Sequence, residues 1–180
     1  MSRVLLVASA SVAVYKACDL ASKLCQAGHE VRTVLTPAAA QLVSPQLFEA
    51  LTGGSAQVEE LGAGRRGGMD HIELARWGEL LLVAPASADM VARLALGLAG
   101  DLAATVALAF PAGRPRLACP SMNPEMLAAP AVQRNLAQLR QDGWMVMEPG
   151  EGHMACGVSG KGRLPEPEAI VRRVAEVLAG

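Results

Sequence analysis

The stretch Arg3 to Leu35, RVLLVASASVAVYKACDLASKLCQAGHEVRTVL, decides the fold. Arg3 to Ala8 opens it as a short apolar run, the length of one buried strand. From Val12 to Ala27 the apolar residues Val14, Ala17, Cys18, Ala21, Leu24 and Cys25 recur at helical spacing. Gly28 follows as a helix stop, and Glu30 to Leu35 reads as a second strand. The opening also has the look of a signal peptide, because Arg3 precedes apolar residues. It runs without a break into an amphipathic helix, however, and so reads as a first strand.

The same alternation continues outward. Leu80 to Pro85, Arg116 to Cys119 and Trp144 to Met147 are further strands, with helices over Asp101 to Phe110, Ala131 to Asp142 and Glu166 to Leu178. Strands alternating with helices predict a parallel sheet covered on both faces, an α/β doubly wound fold. Gly53 to Gly68 contains glycine without any period and is expected to be loop. With no repeat and no linker, residues 1–180 are expected to form a single domain. In such a sheet ligands bind beyond the carboxyl ends of the strands.

Composition narrows the function classes. The chain is 52% hydrophobic and 18% charged, which is globular, and only 3% aromatic, so Ala, Val, Leu and Met must fill the core. A formal net charge of −1 offers neither a basic footprint for nucleic acid nor a polybasic membrane anchor, and no apolar run is long enough to span a bilayer. Cys18, Cys25, Cys119 and Cys156 form no CxxC pair, so reduced thiols and a cytoplasmic location are expected. His153 and Cys156 are spaced as two metal ligands, but no second pair completes a site, and no metal is expected.

Most chemically capable residues fall just after strands. Ser9, Ala10 and Ser11 follow the first, in a turn where a helix amino terminus suits a phosphate, and Thr36 follows the second. A serine that merely caps the helix fits the same turn. Neither GxGxxG nor a Walker loop is present. Pro85 to Asp89 follow the third strand and PSMNPEM, Pro120 to Met126, the fourth. Asn123 there is suited to a carboxylate or carbonyl through donor and acceptor together, or to capping the next helix. His71 stands at a helix start in MDHIELARW, where a single histidine is more often structural than catalytic. His29 is read as structural. The last stretch, EGHMACGVSGKGRLPEP from Glu151 to Pro167, sets Cys156 among glycines with Lys161 and Arg163 nearby. Glycine disfavours helix and strand alike, so a mobile loop closing over an anionic small molecule is expected.

Taken together and in this order, these segments resemble the family of flavin-containing cysteine decarboxylases over almost the whole chain. ASVAVYK resembles the family's first phosphate turn, MDHIELARW carries its catalytic histidine, and APASADM is similar to its PASANT motif. PSMNPEM resembles the PxMNxxM motif and ACGVSGKGR the substrate-covering loop. Ala10 departs from a common glycine, Asp89 and Met90 from the Asn and Thr of PASANT, and Leu127 from a frequent aromatic.

The resemblance implies a flavodoxin-like fold with FMN held between subunits of a homotrimer, or of a dodecamer built from trimers. Ala10, Ser11, Val12, Thr36, Ser87, Ala88, Asp89 and Met90 are then the cofactor-binding residues. It implies FMN-dependent decarboxylation of 4′-phosphopantothenoylcysteine to 4′-phosphopantetheine in coenzyme A biosynthesis, by way of a thioaldehyde and an enethiol. His71 would serve as acid/base and Cys156 as the proton donor to the enethiol. Asn123 would hold the substrate carboxylate, with Lys161, Arg163 and Arg93 as candidates for the phosphate. The ligase domain that bacterial relatives commonly carry is expected to be absent here. Two alternatives remain: a peptidyl-cysteine decarboxylase, against which the cysteine of ACG argues, and a noncatalytic FMN-binding regulator, whose usual acidic extensions are not seen. Flavin prenyltransferases share the fold but fit PSMNPEM and ACG poorly.

Overall fold

The structure is a computed structural model and describes residues 1–59, 70–153 and 157–180. In chain order the elements are β1 (Arg3–Ala8), α1 (Val14–Gln26), β2 (Glu30–Leu35), α2 (Pro37–Ala40), α3 (Pro45–Thr52), β3 (Ala56–Gln57) and α4 (Asp70–Trp77). Then come β4 (Leu80–Ala86), α5 (Ala88–Leu96), α6 (Leu102–Ala109), β5 (Arg116–Pro120), α7 (Pro124–Ala128) and α8 (Pro130–Gln141). The chain closes with β6 (Met145–Val146), β7 (Gly150–His153), β8 (Ser159–Arg163) and α9 (Pro167–Ala179).

Among the described residues the parallel strands form one sheet in the order β3-β2-β1-β4-β5-β6. Alternation along the strands gives each face its own core. Val4, Leu6 and Ala8 of β1 pack with Leu80, Leu82 and Ala84 of β4 against α1, α3 and α9. Leu5 and Val7, with Leu81 and Val83, pack against α4, α5, α6 and α8. Strands covered on both faces have no reason to alternate polar with apolar, which is why they appear as continuous apolar runs. The fold is therefore the doubly wound, flavodoxin-like and Rossmann-type α/β architecture expected from the sequence.

The helices after β1 and β4 lie on opposite faces, so a crevice opens between these adjacent strands at their carboxyl ends. Ser9, only 1% exposed, ties the two strand ends together: its hydroxyl donates to the Pro85 carbonyl (2.8 Å) and accepts from the Ser87 N–H (2.8 Å).

Two expectations are corrected. Within Gly53 to Gly68, Ala56–Gln57 forms an edge strand beside β2, continuing a ladder begun by the Thr33 N–H to the Ser55 carbonyl (2.9 Å); residues 60–69 lie outside the described residues. The second correction concerns Glu151 to Pro167. On either side of residues 154–156, which lie outside the described residues, this segment is an antiparallel ribbon of β7 and β8. Glycine weakens an isolated strand, but here the ribbon is held from outside. Met122 N–H donates to the Gly162 carbonyl (3.0 Å), and a Cβ on Gly160 would lie 2.9 Å from Pro124 Cγ, so β8 rests directly on the start of α7. Gly152 has φ +141°, and a Cβ there would lie 2.7 Å from Arg163 Nη1; a glycine is what lets the arginine cross the ribbon.

Candidate active site

A cavity of about 330 Å³ lies where the turn after β1, the segment after β5 and the β7–β8 ribbon meet. Ser11, Tyr15, Lys16, Ser121, Asn123, His153 and Arg163 are among the residues that line it. Each polar group arrives by a local rule. Asn123 is the N-cap of α7, with Pro124 fixing the first helical position, and its Oδ1 accepts from the Met126 N–H at 2.7 Å. The cap engages one lone pair of the amide oxygen and leaves both Nδ2 hydrogens to donate to a ligand such as a carboxylate.

The crevice residues follow the same logic. Thr36 caps α2 by accepting from the Ala39 N–H (3.1 Å), and Ser87 caps α5 by accepting from the Met90 N–H (3.2 Å). Each hydroxyl keeps its own proton to donate outward. Ser11 accepts from the Ala13 N–H (3.2 Å) and lies 3.2 Å from the Ser121 hydroxyl. Ala10 and Ala88 are small, and Val12 is exposed, so the backbone here is approachable. Hydroxyl donors around a small-residue turn at the head of a helix suit a phosphorylated, hydrogen-bonding cofactor such as FMN. Met90 is fully buried and can only support the site from beneath, and the Asp89 carboxylate is engaged by Arg93 Nε at 2.9 Å.

The cations that the sequence grouped together are separated in space. Arg163 lines the cavity. Lys161 turns away from it to a neighbouring groove, where its Nζ lies 2.6 Å from Glu148 Oε2 and Arg140 meets Oε1 at 3.0 Å. The hydrogen bond from Lys161 is the main reason that the Glu148 carboxyl is held below the usual carboxylate range. Arg93 lies on the other side of the sheet, where its guanidinium pairs with Asp89 and with Asp101 (3.0 Å). His71 sits in the first turn of α4. That helix descends to the start of β4, so its amino end lies toward the carboxyl edge of the sheet, but on the face opposite α1 and away from the cavity lining. Cys156 lies outside the described residues. The described cysteines Cys18, Cys25 and Cys119 have thiols pushed up by burial, Cys119 most strongly, which keeps them protonated and inert. Among the described residues no group of metal ligands is found.

Sequence reasoning passed over Lys16, Tyr15 and Ser121. For two of them the signal was present: Tyr15 and Lys16, in the first turn of α1, stand at i+3 and i+4 from Val12 in the turn directly behind the serines. Burial pushes the His29 imidazole down, in keeping with its structural reading.

Residues 1–179 match the Flavoprotein family. The chain belongs to that family. It is 45% identical over 169 residues to the coenzyme A biosynthesis bifunctional protein CoaBC of Bacillus subtilis (strain 168), covering 94% of this chain and 41% of that protein. It thus spans about two fifths of the length of the curated relatives it matches. Among solved structures it is similar to a cysteine-to-serine mutant of PPC decarboxylase complexed with pantothenoylaminoethenethiol (TM-score 0.90, 29% identity, 99% of each chain). It is also similar to the FMN-dependent cysteine decarboxylase SpaF (TM-score 0.82, 30% identity, 99% of this chain and 98% of that one). No described helix is long and apolar enough to cross a membrane.

Proposed function

We propose that this Flavoprotein family member is the FMN-dependent decarboxylase of 4′-phosphopantothenoylcysteine, yielding 4′-phosphopantetheine. One observation carries the reading: Asn123, its amide oriented by the α7 cap, offers its Nδ2 donor in a cavity that also holds cations and borders the hydroxyl-lined crevice. The likeness to CoaBC and to a PPC decarboxylase supports the same substrate. Bound FMN supplies the reversible two-electron chemistry that an α-amido carboxylate lacks on its own.

The protein's residues then have distinct tasks. Ser11, Thr36 and Ser87 hold the cofactor through hydroxyl protons, and Ala10, Val12 and Ala88 let it approach; Asp89 and Met90 act from behind, one steadied by Arg93 and the other packed in the core. Asn123 fixes the substrate carboxylate by its Nδ2 hydrogens. His71 is the acid/base of the oxidative half-reaction, and Cys156 gives a proton to the enethiol left after CO₂ departs. A cysteine mutant of a related decarboxylase held with an enethiol-bearing molecule is in keeping with that role. Because His71 and the cavity lie on different faces of one subunit, we place the working site between subunits of a trimer, alone or in a dodecamer built from trimers, in the cytoplasm. The test is direct. Holoprotein incubated with 4′-phosphopantothenoylcysteine should give CO₂ and a product of the mass of 4′-phosphopantetheine. A product two mass units lighter would indicate a peptidyl-type decarboxylase that stops at the enethiol, and no CO₂ would indicate a noncatalytic flavin binder.

A further inference from the structure

The cavity holds an internal ion cluster that the proposed chemistry does not use. Lys16 Nζ meets both carboxylate oxygens of Glu166 at 2.9 Å, and Arg163 Nη2 approaches Oε1 of the same residue at 3.4 Å. Lys16 and Arg163 both line the cavity. The Lys16 side chain is only 13% exposed, whereas that of Glu166 is 60% exposed. Most of the Lys16 side chain is out of solvent and its ammonium is paired, but this particular anion is exposed, and it can leave for water at little cost. Glu166 also occupies the N-cap position of α9, yet its side chain makes no cap hydrogen bond. Its carboxylate is aimed away from its own helix and at the two cations.

We propose that Lys16 and Arg163 form a phosphate monoester subsite, and that Glu166 fills it as a resident anion until a ligand's phosphate takes its place. One carboxylate spread over two cations satisfies neither fully. A phosphate dianion brings more charge and three acceptor oxygens to the same spot. Two phosphate monoesters come to this cavity under the function proposed above, on which the choice of probes rests: that of the substrate and that of FMN. The exchange of anions makes phosphate recognition competitive with an intramolecular group. Removing that group should tighten binding, and removing a cation should loosen it.

The experiment measures binding to the holoprotein by calorimetry, comparing 4′-phosphopantetheine with pantetheine, alongside FMN retention on dilution followed by flavin fluorescence. If the substrate is the source, wild type binds the phosphorylated ligand more tightly, and Lys16→Gln shrinks that preference about tenfold to a hundredfold while FMN retention holds. If the cofactor is the source, Lys16→Gln loses FMN on dilution, and the preference between the two pantetheines does not move. Glu166→Gln should move the affected quantity the opposite way, and Lys16→Arg should restore it, which a general folding defect would not do. An unchanged preference together with unchanged FMN retention in Lys16→Gln overturns the subsite. So does weaker phosphate binding in Glu166→Gln. Neither arm requires turnover, so an enzyme that fails to release CO₂ but shows these shifts retains the subsite and loses the proposed reaction.

Discussion

The carboxyl edge of the parallel sheet and the β7–β8 ribbon both face the cavity, but they are held by different physics. At the sheet edge, Ser9, Thr36, Ser87 and Asn123 each accept a backbone N–H at fixed geometry, and Ser9 and Thr36 are buried. On the ribbon side the side-chain polar contacts include exposed ion pairs, Lys161 with Glu148 and Arg163 with Glu166. Buried hydrogen bonds to backbone are costly to leave unmade, whereas exposed ion pairs exchange with water and with other ions. The edge is a rigid template whose spare donors are fixed in direction. The ribbon rests on Met122 and Pro124, and the ion pairs it adds are contacts that a ligand or a proton can replace. Catalytic precision is expected from the first and response to conditions from the second.

The widest gap between a chemical and a structural role is expected at His71, at the sheet edge but outside the cavity lining. His71→Asn should retain FMN and the fold while CO₂ release falls by about 10²–10⁴-fold, the usual contribution of a general acid/base. Single-turnover assays of the reconstituted variant measure this. Near-normal turnover would leave His71 a structural residue of α4 and remove the main argument for a site shared between subunits.

Asn123→Asp separates capping from ligand binding at one atom. Aspartate caps as well as asparagine, so melting temperature should scarcely change. The Nδ2 donor, however, becomes an oxygen facing a carboxylate, and kcat/KM should drop by about a hundredfold, since a hydrogen bond to a charged group is lost and a like charge gained. A variant that keeps its activity would mean that the substrate carboxylate is held elsewhere.

What the sequence made legible follows the same division. The strands stood out because their burial on both faces leaves an unbroken apolar signal, and topology alone then brought Ser11, Thr36, Ser87 and Asn123 to one edge. Small elements escaped: α3 buries only Phe48 fully among its side chains, β3 has two residues, and the ribbon gains its order by resting on Pro124 and Met122. The cations were the least readable. Lys161, Arg163 and Arg93 carry the same charge, and what distinguishes them is the carboxylate that each meets, Glu148, Glu166 or the pair Asp89 and Asp101. Asp89 stands four residues before Arg93 and Glu166 three after Arg163, so these pairs are local, but charge spacing alone does not say which cation faces the cavity. For Lys16 the position behind the serine turn was legible, but its partner Glu166 is at the far end of the chain, and that pairing was not.

Ser9→Ala tests the rigidity of the edge. It leaves the Ser87 N–H without its acceptor while the Pro85 carbonyl keeps the Ser9 N–H (3.1 Å). One orphaned donor should cost about 1–3 kcal/mol of stability in urea unfolding. FMN should also be held less firmly, because Ser87 is no longer fixed. An unchanged midpoint would mean that water replaces the hydroxyl and that the edge is less rigid than its hydrogen bonds indicate.

The smallest effect is expected from acid on the ribbon. The Glu148 carboxyl is held below its ordinary value of 4.5 chiefly by the Lys161 hydrogen bond, with Arg140 adding attraction. A carboxylate whose folded pKa is depressed contributes stability that is complete above its unfolded pKa and is lost as pH falls through the folded one. The contribution should therefore be intact at neutral pH and disappear below about pH 4.5. Because both partners are about half or more exposed, solvent screening limits it to under about 1 kcal/mol. Global unfolding will barely register a change of that size, so the informative measurement is local. Hydrogen exchange at the Met122 amide, which is bonded to the Gly162 carbonyl of the ribbon, should lose protection between pH 5 and pH 3, after correction for intrinsic rates, while amides of β1 and β4 do not. Glu148→Gln should begin with lower protection at that amide and show no further loss in acid. Protection at Met122 that is the same in the variant and the wild type across this range would mean that packing on Pro124, and not the ion pair, fastens the ribbon.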